Sequence, residues 1–157
     1  MFRPLVLVAL AALAAPATAQ DQAFPYGTAR GWTVEALRDA AGFTGCAGRI
    51  DQRAGRLVIG WRIDSWFVTV PADQTEGFRG GVLRFDMGDP VDVEYGFAPD
   101  FTATAAFADS LVRRIDGASE LRTRINGVPP MDWSLEGSAA MTALVTECVS
   151  RLGKPPG

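Results

Sequence analysis

Along most of the chain apolar side chains recur at every second position, and only near the end do they recur at steps of three and four. Trp32, Val34 and Ala36 alternate with Thr33, Glu35 and Leu37, which predicts a first strand; Gly42 and Gly45 interrupt it before a short strand over Cys46–Asp51. Arg53-Ala54-Gly55 reads as a tight turn. Leu57–Ile63 and Ser65–Pro71, rich in Val, Ile, Trp and Phe and joined at Asp64-Ser65, are two β-prone runs expected in the middle of a sheet. Pro71–Gly81 is polar and glycine-bearing, hence loop. Val82–Met87 and Val91–Phe97 alternate on either side of Gly88-Asp89-Pro90 and predict a hairpin, and Phe101, Ala103, Ala105 and Phe107 alternate as a further strand.

Period two then gives way. Ala108, Leu111, Val112 and Ile115 fall at helical steps, with Gly117 ending a short helix. Leu121, Thr123 and Ile125 lead into Asn126-Gly127, a pair suited to a two-residue type I′ hairpin, and Val128, Met131, Trp133 and Leu135 return. Pro129-Pro130 cannot donate ladder hydrogen bonds, which places the start of that strand at a sheet edge or bulge. Ser138–Leu152 is the clearest helix: Met141, Leu144, Val145, Cys148, Val149 and Leu152 form one stripe, Ser138 is placed to cap the first turn, and Gly153, Pro155 and Pro156 end it. The count is about eight mostly antiparallel strands and two late helices. The expected fold is α+β, a twisted antiparallel sheet or small β-sandwich with the C-terminal helix packed on it.

The N-terminus modifies this picture. Arg3, the apolar run Leu5–Ala15 and Ala17-Thr18-Ala19 have the three parts of a secretory signal peptide, with cleavage expected before Gln20. Residues 1–19 are thus read as the signal, 20–30 as an N-terminal arm, 31–153 as a single β-rich domain and 154–157 as a tail. The apolar run is shorter than the ~20 residues that span a bilayer, so no membrane anchor is expected, and a periplasmic or secreted location follows. In such a compartment the only two cysteines, Cys46 and Cys148, are expected to pair. The net charge of −3, one unit more negative once Arg3 leaves with the signal, offers no attraction to nucleic acid.

The closing run Trp133-Ser134-Leu135-Glu136-Gly137-Ser138-Ala139-Ala140-Met141, continuing through Leu144 to Cys148, resembles the C-terminal ending of the invasion-associated locus B family of exported bacterial proteins, and the ends of some type VI secretion accessory proteins are similar. Trp32-Thr33-Val34 resembles the W-x-V opening of such chains, although Glu35, Ala36 and Leu37 stand where that family usually has a cysteine. The resemblance implies an exported β-rich domain with a C-terminal helix and no known catalysis.

The chain contains no histidine, which removes Ser-His-Asp and Cys-His catalysis and imidazole zinc sites. With both thiols expected in a disulfide, a cysteine nucleophile is not expected either. The expectation is a non-enzymatic binding or accessory domain for a protein or cell-envelope component, with no cofactor and no metal. Two other readings stay open: a carbohydrate-binding or carboxylate-type glycan-active protein, and an inhibitor of a secreted hydrolase. Candidate ligand-binding residues are Trp61, Trp66 and Tyr95, which can stack on a sugar or peptide, and Asp86, Asp89, Asp92 and Glu94, which gather oxygen ligands suited to Ca²⁺ around one turn. Against these stand core packing for the aromatic residues and a solvated strand face for the acids. Arg122 and Arg124 share a strand face able to hold an anion, set against a mixed charged surface shared with Arg113, Arg114, Asp109, Asp116 and Glu120.

Overall fold

The computed structural model describes residues 21–155; the expected signal segment lies outside them. The described residues form one antiparallel sheet of ten strands: β1 (Gln22–Ala29), β2 (Trp32–Asp39), β3 (Gly42–Gln52), β4 (Gly55–Arg62), β5 (Ser65–Pro71), β6 (Phe78–Phe85), β7 (Val91–Ala98), β8 (Thr102–Phe107), β9 (Glu120–Ile125) and β10 (Met131–Ser134). Two helices come late, α1 (Val112–Gly117), entered through a 3₁₀ turn, and α2 (Ser138–Ser150). The expected α+β class is the observed one.

The spatial order is β1-β2-β3-β4-β5-β8-β7-β6-β9-β10. The first five strands form a meander. The chain then leaves β5 through the Ala72–Gly77 loop, whose Ala72 N–H donates to Phe101 O at 2.8 Å, and returns strand by strand, so that β8 pairs with β5. The sheet coils until its last strand reaches its third: the Gln52 side-chain amide donates to Ser134 O at 2.8 Å and accepts from Ser134 N–H at 2.9 Å, acting as a peptide group would at the unpaired edge of β10.

Alternation assigns the faces. Trp32, Val34, Ala36, Leu57, Ile59, Val68, Val70, Leu83, Tyr95, Leu121 and Trp133 point inward and are buried. Helix α2 covers the inner face of β1–β4 with Met141, Val145 and Cys148. Gly48 allows this close approach, since a Cβ there would lie 2.3 Å from Met141 Cγ. Cys148 is bonded to Cys46 on β3, with Cα atoms 6.2 Å apart and a separation of 102 positions in sequence.

Several local expectations change. Residues 22–29 are a strand rather than an arm: β1 pairs with β2 along its length, and a bulge between Pro25 and Gly27 turns Tyr26 inward to donate to Glu147 Oε1 at 3.0 Å. Ser138 does not cap α2. Gly137, at φ 79°, holds the cap position, and Ser138 Oγ donates to Ile115 O at 2.7 Å, tying α2 to α1. At the other end Leu152 (φ 51°) precedes Gly153 (φ 69°), whose N–H donates to Cys148 O at 2.8 Å, so the left-handed residue closing the helix is a leucine, itself exposed.

The Asn126-Gly127 turn is not type I′. Only Gly127 has positive φ (81°), Val128 N–H donates to Ile125 O, and the ladder resumes at Thr123–Met131 beyond the two prolines. Both central residues are left-handed instead at Ile63 and Asp64 (φ 46° and 66°), between Arg62 and Ser65. A β-branched residue rarely adopts that conformation.

Candidate functional site

The outer face of β2–β5 and β8 carries a hollow. By register, Leu37, Ala47, Val58, Gly60, Phe67 and Ala106 share this face, and small Ala47, Gly60 and Ala106 beside the taller Phe67 leave a hollow. Its volume is about 480 Å³. A row of hydroxyls crosses it, with Ser65, Thr69 and Thr104 on the same face and a 2.7 Å hydrogen bond between the Thr69 and Thr104 hydroxyls. Thr102 Oγ1 donates to Asp100 Oδ1 at 2.6 Å at the margin.

Three arginines rise around the hollow, each held by a carboxylate. Arg49 pairs with Glu35 at 2.9 Å, Arg62 pairs with Asp21, and Arg56 donates through Nε and a terminal nitrogen to both oxygens of Asp51 at 2.8 and 3.2 Å. The Arg56 hydrogen bond holds the Asp51 carboxyl below the usual carboxylate range, and the Asp51 carboxylate in turn raises Arg56. A guanidinium carries five N–H donors, so each pair leaves donors directed at solvent over a fixed apolar floor. Such a surface suits a ligand with an apolar body and polar edges.

The residues expected from the sequence to form a site do not gather here. Trp66 and Tyr95 face the core, and the Tyr95 hydroxyl is buried without a hydrogen-bond partner, burial pushing its pKa up. Trp61 lies on the inner face beside Phe43, Val149 and the exposed Leu152. Asp86, at φ 47°, turns back on the chain. Its Oδ1 accepts from Ser119 N–H (3.0 Å), Ser119 Oγ (2.9 Å) and Glu120 N–H (2.9 Å), bonds that depress its pKa and join the end of β6 to the start of β9. Asp89 is exposed in the β6–β7 turn, where its backbone carbonyl accepts from Arg114 at 3.4 Å. Asp92 and Glu94 are exposed on the outer face of β7. Among the described residues no three His, Cys, Asp or Glu side chains are grouped as metal ligands.

The cup residues were not singled out from the sequence, although Val58 and Arg62 fall within Leu57–Ile63, and Ser65, Phe67 and Thr69 within Ser65–Pro71, the two runs expected as strands. What hid them was β8, which supplies Thr102, Thr104 and Ala106 from a strand far along the chain.

No protein-family model matches the chain, and no curated protein matches it by sequence. Among solved structures, invasion associated protein B from Bartonella henselae is similar, with a TM-score of 0.53 and 17% identity over 78% of this chain and 96% of that one. At that identity the likeness is one of fold. No helix among the described residues is long and apolar enough to cross a membrane, and the disulfide fits an extracytoplasmic protein.

Proposed function

We propose that the chain is an exported, non-enzymatic binding domain, periplasmic or secreted, that engages a protein or cell-envelope component through the cup on the outer face of β2–β5 and β8. The observation that carries this reading is the combination in one hollow of an apolar floor at Phe67, Val58 and Leu37, a hydroxyl row at Ser65, Thr69 and Thr104, and three arginines pre-positioned by carboxylates. Side chains already engaged by a carboxylate lose less freedom on binding, so less of the contact energy goes into ordering them. The sequence has no histidine and both sulfurs are bonded to each other, which further favours binding over nucleophilic chemistry.

The test is site-specific photo-crosslinking in the cells that export the protein. A photoreactive residue replacing Phe67 or Thr104 is expected to yield a discrete adduct, one at exposed Thr146 on α2 is expected not to, and Ala106→Trp, which fills the hollow, is expected to abolish the adduct while leaving the melting temperature unchanged. Identical adduct patterns from Phe67 and Thr146, or persistence of the adduct with Ala106→Trp, contradict the reading.

A further inference from the structure

The outer face of the other half of the sheet carries an arrangement that the cup does not use. Arg84 on β6 lies directly opposite Arg122 on β9, and Arg124 follows two residues on, opposite Val82. Like charges directly opposed across a sheet repel. Only one of the three is balanced by an ion pair: Arg122 donates through Nε and a terminal nitrogen to the two oxygens of Asp132, its partner on β10. Among the described residues no ion pair reaches Arg84 or Arg124. The Arg84 Nε atom is buried with no acceptor, and an unmet buried donor on a charged group is expensive.

The side chains of Arg84, Arg122 and Arg124, with Val82, Pro90 and Pro130, line a mostly apolar hollow of about 270 Å³. Neither proline has an N–H, so donation into the hollow falls to the arginines. We propose that this hollow is a site for a tetrahedral oxyanion, a phosphate or sulfate group, with Arg84 and Arg124 as its ligands and Arg122, fixed by Asp132, as the third wall. Among the described residues no carboxylate stands within ion-pair distance of Arg84 or Arg124, and the fork of an arginine suits two oxygens of one tetrahedral group. Asp92 and Glu94 on β7 and Glu120 on β9 are exposed around the same face. They disfavour extended polyanions and leave room for a single group.

The test is titration of the full domain with inorganic phosphate, inorganic sulfate and glucose 6-phosphate at ionic strength held constant with sodium chloride. Arginine Nε–H resonances and the melting temperature are followed. A saturable shift of the Arg84 and Arg124 signals is expected, together with a phosphate-dependent rise in melting temperature. Both effects are expected to weaken at least tenfold in Arg84→Gln and in Arg124→Gln and to persist in Arg56→Gln. Arg84→Gln is expected to melt no lower than the native chain without phosphate, because it relieves the repulsion across β6 and β9. Tighter binding of glucose 6-phosphate assigns the site to a phosphate carried on a larger molecule, and equal or weaker binding to the free anion. Shifts that chloride alone reproduces, or that survive both substitutions, overturn the proposal.

Discussion

Tyr95 shows how burial alone decides what a residue does. Its ring fills space against Gly81, where a Cβ would approach within 2.8 Å of it, and its hydroxyl reaches the interior with nothing to bond. Removing that hydroxyl keeps the shape and removes an unmet polar group. Tyr95→Phe is therefore expected to raise stability by about 1 kcal/mol in urea unfolding; a loss would mean that the hydroxyl has a partner. Asp86 is the opposite case, a carboxylate with one oxygen that accepts three hydrogen bonds. Its pKa is depressed, chiefly by the Ser119 hydroxyl and then the Glu120 N–H. Its stabilisation is thus complete above the unfolded value near ~4 and lost as pH falls through the lower folded value. The melting-temperature gap between the native chain and Asp86→Asn is expected to be widest at neutral pH and to narrow as pH falls through the depressed folded value. A gap independent of pH would assign the effect to shape rather than charge. Neither role was legible in the sequence. Alternation placed Tyr95 and Asp86 near one hairpin, but the left-handed turn at Asp86 that sends its carboxylate to Ser119 depends on a neighbour 33 residues away.

At the scale of elements, α2 and most strands follow from periodicity, because apolar spacing and burial are the same physical fact seen twice. What periodicity does not carry is contact between elements. Gly48 looked like any strand glycine, yet it is where α2 sits against β3. In Gly48→Ala the new Cβ meets Met141 Cγ and Sδ at 2.3 and 2.4 Å, and a loss of about 1–3 kcal/mol is expected. Met141→Ala creates the room that this Cβ needs, so the double variant is expected to be less destabilised than the sum of the two singles; strict additivity in a urea double-mutant cycle would contradict the packing. Edge elements were the hardest to read. β1 combines Pro25, Gly27 and few apolar residues because it is bulged and mostly exposed, and a bulge erases the alternation by which strands are recognised. The Ile63-Asp64 turn escaped for a similar reason, since a β-branched residue signals strand rather than positive φ.

Across the whole molecule, one sheet carries two outer surfaces of different character, a cup of paired arginines on β2–β5 and β8 and an unneutralised arginine hollow on β6 and β9. The inner face of the first half is covered by α2, and the cup is the reverse side of the same strands, so whatever fixes the helix also fixes the cup. The pairing of the two cysteines was legible from their number and the expected compartment, whereas the adjacency of β5 and β8 was not, because it joins strands separated by a hairpin. The cross-link spans 102 residues, a loop for which the chain-entropy model gives about 4.7 kcal/mol, and removal of such a bond from a small exported domain costs about 2–5 kcal/mol.

The most direct measurement is urea unfolding of the native protein with and without a thiol reductant, followed by tryptophan fluorescence, since buried Trp32 and Trp133 report on the core. The account predicts that reduction lowers the unfolding free energy by about 2–5 kcal/mol. Superimposable curves, or two alkylatable thiols in the untreated protein, would contradict it.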